Sequence, residues 1–204
     1  MRALDVVQKM EEPTIDERKR WWLLCYGMTS MEKALSACDL LLEHCPDNRH
    51  PLFQPLSVAV HAYYVRPFKR NRAVGKLPET MIPASSIAIH HWLEDFRDSV
   101  MAHIDADHNE VAGRPMNDVI YTIEGAKRRF TTCDPRGHIE FYVDARAHID
   151  AMFNLLADGL LDIHKRFGYL IPDSDGDYLL SFADDSPVFI EVDAGPIQSV
   201  LTYK

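Results

Sequence analysis

The sequence predicts a mainly α fold, an antiparallel four- to five-helix bundle with small β-hairpin additions after residue 115 and at the C-terminus. Long segments repeat their apolar residues at the helical period and are separated by short connections carrying Pro or Gly. Strand-type alternation is confined to the stretches after residue 115. No composition shift or internal repeat divides the 204 residues, so the expectation is one domain with a core over about residues 14–168. An N-terminal arm at 1–13 and a C-terminal hairpin at 175–204 flank it.

Taken in order, Thr14-Ile-Asp-Glu17 has capping-box spacing and opens a helix through Trp21, Trp22, Leu23 and Leu24 to Tyr26. A second box, Thr29-Ser-Met-Glu32, opens another helix, whose Met31, Ala34, Leu35, Cys38, Leu41, Leu42 and Cys45 keep the period until Pro46. Pro51 suits a first turn, and Leu52, Leu56, Ala59, Val60 and Tyr63 carry a third helix toward Pro67. Residues 66–83 hold Arg66, Lys69, Arg70, Arg72 and Lys76 among Gly75, Pro78 and Pro83, a basic loop.

Residues 87–107 form the next amphipathic helix, capped by Ser85 or Ser86, with Ile89, Trp92, Leu93, Phe96 and Val100 as its inward stripe. His90 and His91 point about 100° apart, one expected at the rim and one in solvent. Val119, Tyr121 and Ile123 alternate before Gly125, and 127–132 reach a turn at Cys133-Asp-Pro-Arg-Gly137. Strand character is expected to extend over 138–143. Asp144 then caps a long helix, in which Ile149, Met152, Phe153, Leu156, Leu160, Ile163 and Phe167 lead to Gly168. Two short strands, 178–182 and 188–192, end the pattern.

The formal charge of −9, from 22 basic and 31 acidic residues, argues against a general polyanion binder. Any nucleic-acid contact must use a local basic patch. The four cysteines make no C-x-x-C pair and no disulfide framework, no apolar run reaches the length of a membrane span, and no signal peptide opens the chain. A reducing, cytoplasmic setting without membrane contact is the expectation. No Walker loop, Rossmann fingerprint, nucleophile elbow or H-E-x-x-H motif calls for a cofactor.

The chemistry concentrates at Phe96-Arg-Asp-Ser-Val-Met-Ala-His103. Arg97 offers a guanidinium for two phosphate oxygens, His103 an imidazole that titrates near neutrality, and Asp98 and Ser99 polar atoms to orient them. This segment resembles the motif of the HEPN superfamily, an Arg followed by a polar residue and, a few positions on, by a His. Tyr64-Val-Arg-Pro-Phe68 and Asn71 add to the likeness, which spans about residues 30–165. The resemblance implies a single HEPN-like helical domain that binds RNA. It also implies metal-independent cleavage, in which a 2′-hydroxyl attacks the adjacent phosphate with Arg97, Asp98 and His103 as the catalytic set and no cofactor. Arg66, Lys69, Arg70, Asn71, Arg72 and Ser99 would contact the substrate. It implies a homodimer through the 84–104 helix as well, and no motif specifies a partner protein.

Six residues along one helix place Arg97 and His103 about 120° and 9 Å apart. They converge only if the helix unwinds or two chains share the site. Two other readings compete. The helix is a dimer face of a non-catalytic interaction or small-ligand module, with Arg97, His103 and Asp105 tying its end to the bundle. Alternatively, His103, Asp105, Asp107 and His108 hold the metal of a hydrolase. Asp173-Ser-Asp-Gly-Asp177 lacks the glycine position and terminal Glu of a calcium loop and reads as a turn.

Overall fold

The computed structural model describes residues 12–97, 110–111, 114–115, 119–125, 127–132 and 138–192. Among these, four α-helices form the body: α1 (Ile15–His44), α2 (Phe53–Val65), α3 (Ile87–Phe96) and α4 (Ile139–Phe167). The long helices α1 and α4 pack along one another, α2 lies against α1, and short α3 lies over α2 and α4. The mainly helical bundle with hairpin additions is therefore the architecture. No helix among the described residues is long and apolar enough to cross a membrane.

The first capping box forms. The amide of Glu17 donates to the Thr14 hydroxyl at 3.3 Å, and the Glu17 carboxylate accepts from the Thr14 amide at 2.9 Å. The second does not, because the two helices expected over 14–45 are one. The Thr29 hydroxyl instead donates back to the Cys25 carbonyl at 3.2 Å, inside a continuous helix. Gly27, between the expected helices, is a packing residue. A Cβ there would come within 3.0 Å of Leu156 on α4 and 3.2 Å of Leu77. Leu24 makes the reciprocal contact with Gly159 of α4, so two small residues let the long helices approach closely.

Helix α4 starts at Ile139, with His138 at its N-cap position, rather than at Asp144 after a strand. The segment 139–143, rich in β-branched and aromatic residues, resembles a strand locally, but Tyr142 lies three residues before Ala145 and seven before Ile149 and is fully buried with them. The helical stripe decides. Gly168 closes the helix as expected, its amide bonding to the His164 carbonyl. Before α3 a 3₁₀ turn covers Ala84–Ser86, and the Ser86 hydroxyl donates to the Pro83 carbonyl, so no serine side chain caps α3.

The strands form three two-stranded antiparallel ladders. These are β1 (Glu110–Val111) with β2 (Arg114–Pro115), β3 (Val119–Glu124) with β4 (Lys127–Thr132), and β5 (Asp177–Leu180) with β6 (Phe189–Val192). The turn between β3 and β4 contains Gly125 at φ 61°, where only glycine is unstrained. Arg18 of α1, 3% exposed, holds the C-terminal hairpin to the bundle. Its guanidinium donates to the carbonyls of Pro13, Ala183 and Ser186 at 3.1–3.3 Å and reaches that of Ser181 at 3.5 Å.

Candidate functional site

The basic segment after α2 is an ordered platform. A 3₁₀ turn at Arg66–Phe68 leads to an antiparallel bridge in which Asn71 and Gly75 exchange backbone hydrogen bonds of 2.8 and 2.9 Å. The Asn71 side-chain oxygen accepts the Ala73 amide at 2.9 Å, and Gly75 sits at φ 88°, which closes the turn. Buried Pro67, Phe68, Val74 and Leu77 nail the segment to the core.

Between this platform and α1 lies an open cleft of about 170 Å³. Trp22, Leu23 and Tyr26 line it on the helix side, and Arg66, Pro67, Lys69, Arg70, Asn71 and Gly75 on the loop side. Trp22 and Tyr26, one turn apart, stack with ring centroids 4.8 Å apart and planes 12° from parallel. Both rings are half-buried, and Arg66, Arg70 and Asn71 are exposed. The Arg66 guanidinium also lies 5.4 Å over the Tyr63 ring, which Lys33 approaches at 5.7 Å. The cleft thus presents aromatic faces beside guanidinium groups, the combination that a planar ring carrying an anionic group requires.

Lys69 forms the inner wall. Its Nζ donates to Glu94 Oε1 of α3 at 2.7 Å. The second Glu94 oxygen is 3.6 Å from Nε2 of His90, too long for a hydrogen bond but close enough for the charge to be felt. His90 Nδ1 and His148 Nε2 both lie 2.7 Å from the Tyr64 hydroxyl. His90 and Tyr64 are fully buried and His148 nearly so. His90 Nε2 and His148 Nδ1 have no hydrogen-bond partner among the described residues.

One proton arrangement fits best. With an Nε2–H, His90 points a positive edge at the Glu94 carboxylate, and its Nδ1 accepts from Tyr64. The tyrosine oxygen then accepts from His148 Nε2–H, so the two nitrogens without a hydrogen-bond partner are a donor aimed at a carboxylate, Nε2 of His90, and an acceptor, Nδ1 of His148. The opposite polarity would aim a lone pair at a carboxylate. The result is a directed chain from His148 through Tyr64, His90 and Glu94 to Lys69 at the cleft wall.

A second buried chain runs parallel. Because the Leu93 carbonyl can only accept, His61 donates to it from Nδ1 at 3.0 Å and accepts at Nε2 from the Tyr142 hydroxyl at 3.2 Å, which is bonded in turn to Ser57. Burial pushes His61 and His148 down to about 4. In His148 the neighbouring His90 adds to the effect. His90 is lowered by burial too, against the pull of Glu94, and burial pushes the hydroxyls of Tyr64 and Tyr142 above the usual phenol range.

Of the expected site residues, Arg66, Lys69, Arg70 and Asn71 come together in the cleft. Arg72, at the exposed tip of the 71–75 turn, is outside its lining. Arg97 stands half-buried at the C-terminal end of α3, its amide donating to Leu93 and Glu94. Asp98, Ser99, His103, Asp105, Asp107 and His108 lie outside the described residues, as does the 98–104 part of the expected dimer helix. His90 is not at a rim: α3 turns His90, Leu93 and Phe96 into the core, while Ile89 and Trp92 are half-buried at its side. Sequence reading missed the buried histidines and the Trp22–Tyr26 platform. A signal was present, since His61 stands three residues before Tyr64, His90 three before Leu93 and His148 three after Ala145, all on apolar stripes. Among the described residues no group of three His, Cys, Asp or Glu side chains is placed to hold a metal ion. No known protein family, curated protein or solved structure matches the chain.

Proposed function

We propose that this chain is an HEPN-like RNA-binding protein that takes single-stranded RNA in the cleft between α1 and the 66–77 platform. The observation that carries this reading is the stacked Trp22–Tyr26 pair set beside Arg66 and Arg70 on a pre-formed turn. Single strands expose base faces that stack on aromatic rings and phosphates that meet cations, and neither contact needs a net basic protein. The −9 charge favours a local contact with one or two nucleotides over a long electrostatic track. In the same reading Arg97, with Asp98 and His103 beyond it, clamps a phosphate and moves the proton of the attacking 2′-hydroxyl.

The test is fluorescence anisotropy of a labelled single-stranded RNA with the full chain. Three cations at the cleft give a log–log salt slope of about −2. Arg66→Ala combined with Arg70→Ala weakens binding roughly tenfold or more at fixed salt. Cleavage is read separately in chelator, where Arg97→Ala and His103→Ala lower the rate by about 10²-fold or more. Binding that ignores the arginine pair removes the cleft from the account. Activity unchanged in both Arg97→Ala and His103→Ala removes the catalytic part.

A further inference from the structure

The cleft wall and the buried histidine chain share one residue pair, Lys69–Glu94. An anion bound in the cleft competes with Glu94 for the Lys69 ammonium, because both offer oxygen acceptors to the same point charge. When Lys69 turns to the anion, Glu94 loses the cation at 2.7 Å and keeps the His90 ring at 3.6 Å. We propose that binding of a phosphate group in the cleft is coupled to uptake of a proton by the His90–Glu94 pair, with Lys69 as the switch. This inference rests on the RNA-binding reading and adds a regulation to it.

The groups that face His90 set the direction. From α2 comes the Tyr64 hydroxyl; from α4, His148; from α3, Glu94 and His91; from the platform, Lys69; and from a 3₁₀ turn at Glu79–Met81, Glu79. In the closed pair burial keeps the imidazole neutral against the pull of Glu94, and the Lys69 cation bonded to that carboxylate adds to the effect. Moving that cation to an incoming phosphate removes its contribution at the moment when more negative charge arrives, and both changes favour an imidazolium.

The chain can take the proton by reversing its polarity. A proton adds to the unmatched lone pair of buried His148 Nδ1, the Nε2 proton of His148 passes to the Tyr64 oxygen, and the Tyr64 proton passes to His90 Nδ1. His148 and Tyr64 end neutral, and His90 ends with protons on both nitrogens beside the Glu94 carboxylate. The reversal replaces an unmatched acceptor on His148 by an unmatched donor, a cost that opposes uptake until the carboxylate is freed.

The probe is a short oligouridylate with hydroxyl ends, which has no group titrating between about pH 5.5 and 7.5. Calorimetric titration of the full chain at pH 6, in two buffers of different ionisation enthalpy, gives proton uptake and affinity together. The expected result is about half a proton taken up per oligonucleotide, with affinity roughly threefold tighter at pH 6 than at pH 7. In Glu94→Gln and in His90→Gln, each first shown by circular dichroism to be folded, binding persists and uptake vanishes; either folded variant suffices. Wild-type binding with no buffer dependence overturns this inference alone, and so does uptake that survives in a folded variant. No binding by the wild type overturns the RNA reading and this inference with it.

Discussion

At the residue scale, the least replaceable atom in the bundle is the Tyr64 hydroxyl. It is the only hydrogen-bond partner of His90 and His148 among the described residues, and both rings already carry one unmatched nitrogen. Tyr64→Phe leaves the packing intact but orphans two more buried nitrogens, an expected loss of about 2 kcal/mol in urea unfolding. A loss below about 0.5 kcal/mol would mean that the histidines find other partners and that the chain is not fixed as described. These residues were hard to read from sequence because histidine counts as polar in a periodicity search. Only the coincidence of three histidines with apolar stripes on three helices marks them as core. Their partners on neighbouring helices depend on helix order and register, which no single segment encodes. Arg66, Lys69, Arg70 and Asn71 were legible as a basic loop. Trp22 and Tyr26, 40 or more residues earlier, were not, because a helical aromatic pair reads first as core.

At the scale of elements, local chemistry proved legible where a side chain bonds its own backbone and ambiguous where packing decides. The Thr14 box forms because both of its partners lie within one turn, and Thr14→Ala is expected to cost about 1 kcal/mol. The Thr29 box has the same letters but sits where α1 already runs straight through, so Thr29→Ala is expected to change stability by no more than about 0.5 kcal/mol. Urea denaturation of the two variants separates these positions, and equal losses would contradict the continuous helix. Arg18 acts on a longer reach, tying α1 to the 181–186 loop by its guanidinium. Arg18→Met keeps the apolar stem and removes the donors, so the expected effect is a C-terminal hairpin cut faster by protease while α1 and α4 remain helical. An unchanged cleavage rate would show that the hairpin is held by its apolar contacts with the bundle alone.

At the scale of the whole molecule, the buried imidazoles make stability depend on acidity. His61 and His148 are held near 4 in the fold against about 6.5 in an unfolded chain. Between these values the unfolded state binds more protons, so stability is full above pH 6.5 and falls as the pH drops toward 4. Each histidine contributes up to about 3 kcal/mol of that fall. Urea unfolding at pH 7, 6, 5 and 4.5 is expected to show a steady decline that begins well above the carboxylate range. A stability flat from pH 6.5 to 5 would show that these rings are protonated in the fold. The same acid window covers the proposed coupling at the cleft, where binding would tighten while the fold weakens.

The central claim is that a base stacks beside Trp22, and Trp22 fluorescence tests it most directly. Of the three tryptophans, Trp21 is buried and Trp92 packs between Phe96 and Phe141, so Trp22 is the one that lines the cleft. Titration with oligouridylate is expected to quench emission saturably, with the midpoint found by anisotropy, and Trp22→Phe is expected to lose the quenching while still binding. Saturable binding with no quenching, or quenching retained in Trp22→Phe, would contradict the account.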